Sequence, residues 1–292
     1  MNTLLEKLLD KCPDFRLSLS ITGVFIEQLE QWAPDVLEGF KRLVSTGRVE
    51  IIAETYYHSL AFFYSREEFE RQVEAHRKKI RDIFGVEMKV FRNTELSYND
   101  DLAKWADEHG YKGILAEGWD PILEWRSPNY VYKPVNTNNI QLLMKNYRLS
   151  DDVAFRFSDR GWSSWPLNAD TYNNWVNNSV ENKSIVNLFM DYETFGEHQW
   201  EDTGIFEFYE SFVDKWLDNP LNTFYTASEA IDTFEPVGEI SMKNTVTWAD
   251  TERDLTAWTG NSMQREALRY IYDLEKQVID CGDIKLISDW RK

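Results

Sequence analysis

Ile185-Val-Asn-Leu-Phe-Met190 leads directly into Asp191-Tyr-Glu-Thr-Phe-Gly-Glu-His198. The apolar run predicts a buried strand, and three carboxylates and a histidine follow it within eight residues. A sheet core has no use for such a cluster, because unpaired buried charge is costly. In α/β proteins, reactive groups lie at the carboxyl ends of strands. The stretch therefore predicts an α/β fold in which this strand end supplies half of a two-carboxylate site.

Strand and helix patterns alternate along the rest of the chain. Further strands are predicted at residues 15–21, 48–54, 88–96, 112–116, 141–145 and 245–248. Helices are predicted at residues 25–43 with a break at Pro34, 65–84 with a capping box of Ser65 and Glu68, 100–109, 205–216, 228–233 and 263–280. This alternation indicates a parallel sheet. The sequence has no Gly-x-Gly-x-x-Gly and no P-loop, which favours a barrel over a nucleotide-binding sheet.

One long stretch interrupts this alternation. Residues 125–182 are irregular in pattern and rich in Asn, Trp, Tyr and Ser. The stretch is too long for a simple loop. We therefore predict a surface insertion near the site, with short helices near Ala154 and Tyr172 and the strand at residues 141–145 inside it.

Composition limits the classes of partner. The 292 residues contain 50 acids against 32 bases, a formal charge of −18, and such a surface repels phosphate backbones and anionic lipid. Nucleic acid and membrane are thus poor partners, and no segment is long and apolar enough to span a bilayer. The two cysteines, Cys12 and Cys281, form no disulfide framework and no zinc motif, and the first residues do not form a signal peptide. A reducing, cytoplasmic location is the expectation.

Two strand ends supply the candidate catalytic groups. Asp191 and Glu193 are two residues apart and are predicted to point to the same side, where like charge raises one pKa and suits a general acid. Glu95 follows another strand, and Arg92 three residues earlier could hold it ionised as a nucleophile. The alternatives are a helix cap or salt bridge for the first pair and a structural Arg–Glu pair for the second.

The four histidines do not predict a metal site, because no two have the spacing of a helical metal pair. His58 and His198 follow strand ends and could bond substrate hydroxyls, whereas His76 and His109 lie on predicted helices and are expected at the surface. No metal and no cofactor are predicted. Paired carboxylates, 15% aromatic residues and no cofactor motif point to glycoside hydrolysis. Mutases and metal-dependent hydrolases, which also place acids on barrels, remain open at this point.

Four motifs together resemble glycoside hydrolase family 57, in its α-amylase-like subgroup. They are Gly47-Arg-Val-Glu-Ile-Ile-Ala-Glu-Thr-Tyr-Tyr-His-Ser-Leu60, Phe91-Arg-Asn-Thr-Glu-Leu96, Asp191-Tyr-Glu-Thr-Phe-Gly-Glu-His198 and Trp248-Ala-Asp-Thr-Glu-Arg-Asp-Leu-Thr-Ala-Trp258. All four occur in the order of the family. The resemblance implies an incomplete (β/α)7 barrel over residues 1–235, including the insertion, and the start of a C-terminal helical region over residues 236–292.

The resemblance also implies a function and a set of site residues. The implied activity is retaining hydrolysis of α-1,4-glucans or maltooligosaccharides, with Glu95 as nucleophile and Asp191 as acid/base. Motif positions that would line the substrate cleft are Glu54, His58, Glu193, His198 and Asp250, and Arg92 is kept beside Glu95. At least one tryptophan is expected to stack on a glucose unit, and core packing is the rival explanation for each candidate: Trp119, Trp125, Trp162, Trp165 and Trp200.

One departure from the family pattern affects these expectations. The family begins with a strand that contains His-Gln-Pro, and nothing here matches it. The chain is therefore expected to be truncated at the N-terminus, without the first barrel strand, and also at the C-terminus. Further alternatives are a 4-α-glucanotransferase or branching enzyme of the same family, a metal-dependent polysaccharide deacetylase, and an inactive glucan-binding fragment.

Overall fold

The structure, a computed structural model, describes residues 1–181 and 184–292. The end of the predicted insertion, at residue 182, lies outside the described residues. The strands of the described chain are short, and most follow one another at the spacing of βα units. They are β1 (Leu17–Ser20), β2 (Val49–Ile52), β3 (Val90–Phe91), β4 (Gly113–Glu117), β5 (Lys133–Pro134), β6 (Gln141–Lys145) and β7 (Glu239–Ile240).

The strands pair in parallel, as the alternation of patterns predicts. β1 pairs with β2, β3 with β4, β4 with β6, and β5 with β7. A single parallel bridge between Ala53 and Phe91 joins β2 to β3, so β1, β2, β3, β4 and β6 follow one another in one direction. Parallel strands place their carboxyl ends at one edge. Glu54, Glu95, Glu117 and Lys145 all lie at or just beyond such ends.

Helices cover these strands and make up the C-terminal part. They are α1 (Asn2–Lys11), α2 (Gly23–Trp32), α3 (Pro34–Ser45), α4 (Arg66–Phe84), α5 (Asp100–Glu108), α6 (Asp120–Leu123), α7 (Tyr147–Ala154), α8 (Ala169–Ser179), α9 (Ile205–Leu217), α10 (Ala227–Thr233), α11 (Thr256–Thr259), α12 (Ser262–Asp273), α13 (Glu275–Asp280) and α14 (Ile284–Arg291). The predicted break at Pro34 is confirmed, because Pro34 begins α3 directly after α2 ends. Proline fits this first helical position since its missing N–H has no intrahelical partner there.

Side-chain caps explain where several helices begin. The Thr226 side chain and Glu229 form a reciprocal capping box at α10. The box predicted at Ser65 is only half formed: the Ser65 side chain accepts from the backbone N–H of Glu68, which begins α4. The Glu68 carboxylate instead accepts two hydrogen bonds from Arg291 in α14. This bidentate pair joins the C-terminal helix to α4.

Alternating side chains of β4 divide the core between two faces. Ile114 and Ala116 pack with Phe91 and with the aromatic residues Phe69 and Trp105 of α4 and α5. Leu115 faces the other way and packs in a separate cluster, which also contains Ile52, Val90, Leu143 and Ile231. A third cluster joins β1 and β2 to α1, α3, α8 and α9. The covered strands leave their carboxyl ends as the place for polar groups.

The strand predicted at residues 185–190 is wrong. This segment lies beside the end of β6, but its hydrogen bonds go to scattered partners: Ile185 N donates to Asn129 O, and Asn146 N donates to Asn187 O. Side chains make the remaining bonds, from Asn187 Nδ2 to Met144 O and from Phe189 N to Ser150 Oγ. Without a regular backbone ladder, the segment is extended chain rather than a strand.

Other differences follow from long-range contacts. β6 lies inside the range predicted as a surface insertion, yet it pairs with β4 along its whole length. Residues 245–248 form one antiparallel bridge between Tyr98 and Val246 rather than a strand. The helix predicted at residues 263–280 ends at Asp273 and resumes at Glu275. None of the helices in the described chain could cross a bilayer.

Candidate active site

Glu95 is held at both carboxylate oxygens. It lies beyond β3 in a short 3₁₀ turn, Thr94–Leu96. His58 Nε2 lies 2.8 Å from Glu95 Oε1, and the indole N–H of Trp248 donates to Glu95 Oε2 over 2.7 Å. The backbone N–H of Trp248 also donates to the Glu95 carbonyl, over 3.2 Å. The carboxylate therefore has a defined orientation at the edge of the strands.

The backbone around this carboxylate is strained. Non-glycine residues rarely have a positive φ, because Cβ crowds the backbone there. Within the described chain seven non-glycine residues do so, and five of them are His58, Glu95 with its neighbour Leu96, and Asp250 and Arg253 in the segment that follows Trp248. Such strain persists only where surrounding contacts enforce it, and it is frequent at functional sites.

The hydrogen bonds decide the charge of Glu95. Burial by itself raises the pKa of this carboxyl group, but the hydrogen bonds from His58 and Trp248, together with the positive charges of His58 and Arg92, outweigh burial and hold the pKa below its ordinary value. Arg92, the partner expected from sequence, is the weakest of these influences. Glu95 is therefore ionised at neutral pH.

His58 links Glu95 to a second, hidden carboxylate. Its Nδ1 lies 3.3 Å from Glu54 Oε2, and Glu54 is fully buried with a further bond of 2.6 Å from Ser20 Oγ. Burial lowers the pKa of His58, but its bonds to Glu54 and Glu95 raise that pKa to about 9. The imidazole is thus a cation with each ring nitrogen donating to a carboxylate. Glu54 is 1% exposed, so it is connected to Glu95 through His58 rather than through solvent.

His76 supports Glu54 from the core. The prediction that His76 is a surface residue is wrong, because its side chain is completely buried. Its Nδ1 accepts from the backbone N–H of Glu54 over 3.4 Å, so its Nε2 carries the proton and donates to Ile21 O over 2.8 Å. Burial lowers the pKa of His76, and a neutral ring satisfies both bonds. His109, by contrast, is exposed as predicted.

Asp191 has the opposite electrostatic setting. It follows the extended segment 184–190 and precedes a 3₁₀ turn, Tyr192–Thr194. Burial raises the pKa of Asp191 most, followed by the negative charge of Glu193. Arg92 lowers this pKa, Glu95 raises it by a smaller amount, and His198 has the weakest, lowering effect. Asp191 and Glu95 thus act on each other electrostatically. The raised pKa of Asp191 favours its protonated form, and the lowered pKa of Glu95 favours its ionised form.

The remaining predicted residues differ in how far they are exposed. Glu193, His198 and Asp250 are exposed. Trp200, two residues after His198, is 67% exposed, whereas Trp119 is half-buried and packs against the core. Among the other tryptophans, Trp125 and Trp165 are exposed and Trp162 packs edge-on against Trp175.

Trp248 is the residue that sequence reasoning did not identify. Two cationic groups lie over its ring, the Arg92 guanidinium at 5.0 Å and the Lys145 ammonium at 5.1 Å from the ring centroid. Its place at the head of the motif 248–258 was the available signal, but nothing local links it to Glu95, 153 residues earlier. Among the described residues no group of three His, Cys, Asp or Glu side chains has the geometry to hold a metal ion.

Proteins of similar sequence have names that agree with one another. The sequence model described as "Glycosyl hydrolase family 57" matches residues 1–243. A Methanocaldococcus jannaschii protein, whose name proposes α-amylase activity, is 47% identical over 278 residues, which cover 94% of this chain and 58% of that protein. An α-amylase of Pyrococcus horikoshii is 22% identical over 237 residues, 80% of this chain and 36% of that enzyme. The chain therefore spans less than two thirds of the length of each of these relatives.

Solved structures share the fold. A 4-α-glucanotransferase from Thermococcus litoralis matches with a TM-score of 0.72 and 17% identity, over 94% of this chain and 42% of that one. A branching enzyme from Thermococcus kodakaraensis matches with a TM-score of 0.74 and 13% identity, over 95% of this chain and 72% of that one. At such identities the likeness describes the fold alone.

Proposed function

The chain belongs to glycosyl hydrolase family 57, and from that premise we propose that it is a retaining glycosidase acting on α-1,4-glucans. In this proposal Glu95 is the nucleophile and Asp191 is the acid/base. The observation that supports it most is the pair of opposite pKa shifts, lowered at Glu95 and raised at Asp191. Titratable groups pushed apart in this way are the usual sign of separate acid and nucleophile roles.

The first half-reaction transfers the sugar to the protein. Asp191 gives its proton to the glycosidic oxygen while a Glu95 oxygen attacks the anomeric carbon, so the bond between that carbon and the leaving oxygen breaks. The product is a glycosyl ester of Glu95, and the leaving sugar departs as an alcohol. A retaining mechanism of this kind requires carboxyl groups about 5–5.5 Å apart.

The second half-reaction releases the sugar. Asp191, now a carboxylate, removes a proton from a water molecule, whose oxygen attacks the anomeric carbon and displaces Glu95. Two inversions leave the anomeric configuration unchanged. If a sugar hydroxyl replaces water, the same step is transglycosylation, so hydrolase, 4-α-glucanotransferase and branching activities differ only in the acceptor.

The groups around Glu95 have supporting roles in this scheme. Cationic His58 and the Trp248 indole keep Glu95 ionised before attack, and both contact oxygens that lose negative charge as the ester forms. Their hydrogen bonds also fix the carboxylate rotation, which aids attack by pre-organising the reacting atoms. Glu54 acts through His58, since it is fully buried.

The substrate is proposed to be an α-glucan or a maltooligosaccharide. Exposed Trp200 offers an apolar ring against which the C–H face of a glucose unit could stack, and Glu193, His198 and Asp250 offer hydroxyl partners. An incomplete (β/α)7 barrel over residues 1–235 and the start of a helical region over 236–292 remain part of this proposal; the parallel pairing of β1, β2, β3, β4 and β6 is consistent with the barrel, whereas β7 pairs with β5 across the proposed boundary. Both cysteines are free thiols, which fits a cytoplasmic location.

Two measurements on purified protein test this proposal. Maltoheptaose is incubated with the wild-type chain and the products are separated: new reducing ends indicate hydrolysis, longer chains indicate transfer, and α-1,6 linkages indicate branching. Glu95→Gln should abolish all three while calorimetry still detects maltoheptaose binding. Glu74→Gln, at an exposed position on α4, is the matched control and should retain full activity. Undiminished turnover in Glu95→Gln would overturn the proposal, and binding without any wild-type turnover would identify a glucan-binding protein.

A further inference from the structure

We propose that Arg253 is a positioning residue that holds Trp248 against Glu95, an inference that rests on the proposed role of Glu95. Arg253 lies outside the set of residues predicted from sequence. It touches neither Glu95 nor Asp191 according to the contacts of the described chain. It belongs to a buried cluster of charged side chains at the carboxyl ends of β4 and β6, and it acts on Glu95 through Trp248.

The cluster contains two anions and two cations. Arg253 Nη1 lies 2.6 Å from Glu117 Oε2, and Arg253 Nη2 lies 3.5 Å from Asp151 Oδ2. Lys145 Nζ lies 3.0 Å from Asp151 Oδ1 and 3.7 Å from Glu117 Oε2. The four side chains are between 0% and 14% exposed. The formal charges cancel, so loss of any one member leaves an uncompensated buried charge.

Arg253 also fixes the backbone of the segment that contains Trp248. Its Nη1 donates to the Trp248 carbonyl over 3.0 Å, and its own carbonyl accepts from Thr247 N over 2.9 Å. The Arg253 backbone has a φ of +53°, an unfavourable region for arginine,. The bonds of its guanidinium group at both Glu117 and Trp248 account for the persistence of this conformation.

Trp248 thus contacts two members of the cluster and also contacts Glu95. Arg253 binds its carbonyl, and Lys145 lies 5.1 Å from its ring centroid. On its other side, the Trp248 indole and backbone N–H groups both donate to Glu95. A guanidinium is suited to this task, because Nη1 carries two N–H groups, which bond Glu117 and the Trp248 carbonyl, while Nη2 remains available to face Asp151,.

A conservative substitution separates positioning from simple stabilisation. Arg253→Lys keeps the positive charge of the cluster, but a single ammonium nitrogen cannot keep the Nη1 bonds to Glu117 and Trp248 O together with the Nη2 contact to Asp151,. We expect a melting temperature near that of the wild type, a lower kcat with little change in KM, and an acid limb of kcat/KM that moves to higher pH. The limb moves upward because Glu95 loses a donor that lowers its pKa. Arg269→Lys, on the exposed face of α12, is the control and should change none of these.

A readout independent of turnover keeps the positioning claim separate from the proposed function. In protein labelled with ¹⁵N at tryptophan, the indole signal of Trp248 is identified by its loss in Trp248→Phe. In the wild type this signal should shift with pH as Glu95 titrates, and it should not do so in Glu95→Gln. Arg253→Lys should displace the signal and weaken that titration. An inactive wild type with this behaviour would reject the glycosidase proposal and uphold the role of Arg253.

A double-mutant cycle provides the decisive comparison. If Arg253 acts through Trp248, Arg253→Lys combined with Trp248→Phe moves the acid limb no further than Trp248→Phe alone. Additive shifts, or an unchanged indole titration in Arg253→Lys, would overturn the inference. If Arg253→Lys does not fold, Arg253→Gln with Glu117→Gln replaces it, since that pair leaves the cluster neutral, and the same outcomes apply.

Discussion

The Nε2 atom of His58 lies 2.8 Å from Oε1 of Glu95. This contact places a cationic imidazole, with a pKa raised to about 9, directly against the proposed nucleophile. The other ring nitrogen faces buried Glu54, so the histidine stands between two carboxylates. This arrangement and its counterpart at Asp191 should determine how stability and activity depend on pH.

His58 should make stability depend on pH. Its folded pKa is raised above the unfolded value of 6.5, so its stabilising contribution is complete below pH 6.5 and is lost as pH rises through about 9. The free energy of unfolding of the wild type should therefore fall over this range more than that of His58→Gln. Because the side chain is about a third exposed, solvent screening reduces the size of the difference. Urea unfolding at several pH values measures it.

The control for this prediction is His109→Gln. His109 is exposed directly after α5, and its side-chain hydrogen bond in the described chain is to the Trp105 carbonyl rather than to a carboxylate, so its replacement should leave the pH dependence of stability unchanged. Parallel curves for wild type and His58→Gln would show that the imidazole is not charged between Glu54 and Glu95.

Glu193 should set the alkaline limit of activity. Its negative charge is the second cause, after burial, of the raised pKa of Asp191. Glu193→Gln removes that charge, lowers the pKa of Asp191, and should move the alkaline limb of kcat/KM to lower pH. Glu197→Gln, three residues after the 3₁₀ turn and also exposed, is the control. An alkaline limb that stays in place in Glu193→Gln would contradict the electrostatic link.

The rate lost on removal of Asp191 should depend on whether the leaving group needs a proton to depart. Asp191→Asn removes the general acid, which typically contributes roughly 10²–10⁴-fold, so hydrolysis of maltoheptaose should fall by about that factor. A 4-nitrophenyl maltooligosaccharide, whose leaving group departs without a proton, should lose far less in its glycosylation rate. Equal losses on both substrates, measured by single-turnover kinetics, would contradict an acid role.

Trp200 and Trp119 should respond differently to truncation. Trp200 is 67% exposed, so Trp200→Ala should leave the folded state intact and raise KM for maltoheptaose about fivefold, as expected for loss of about 1 kcal/mol of apolar contact. Trp119 packs against the core, so Trp119→Ala should lower the free energy of unfolding by about 2 kcal/mol. An unchanged KM in Trp200→Ala would remove this residue from the substrate site.

The sequence predicts strand bounds best for strands that pair along their whole length with a neighbouring strand. The bounds of β6 were predicted without error, and β4 differs by one residue at each end, because both are short apolar runs bounded by turn residues. The run at residues 185–190 is equally apolar, yet it forms no ladder. Its bonds depend on Asn129, Asn146 and Ser150, and periodicity contains no information about such distant partners.

The site was predictable as a location and less so as a network. The pattern of strand ends indicates Glu95 and Asp191, and the negative charge of Glu95 contributes to the raised pKa of Asp191. Sequence proximity suggested Arg92 as the main partner of Glu95, but Arg92 lies 3.9 Å from Glu54, and His58 and Trp248 contact Glu95 instead. Those partners come from other strand ends and from a segment 153 residues away, so only tertiary structure identifies them.

The central claim is that Glu95 forms a covalent bond to the sugar. A 5-fluoro-α-maltosyl fluoride forms a glycosyl ester with a retaining enzyme, and this ester is hydrolysed slowly, so the intermediate accumulates. Mass spectrometry of the intact protein, followed by peptide mapping, locates the added sugar. The proposed mechanism predicts one sugar per chain, attached to the Glu95 side chain. Attachment to any other residue, or turnover of maltoheptaose by a chain that never acquires the label, would contradict it.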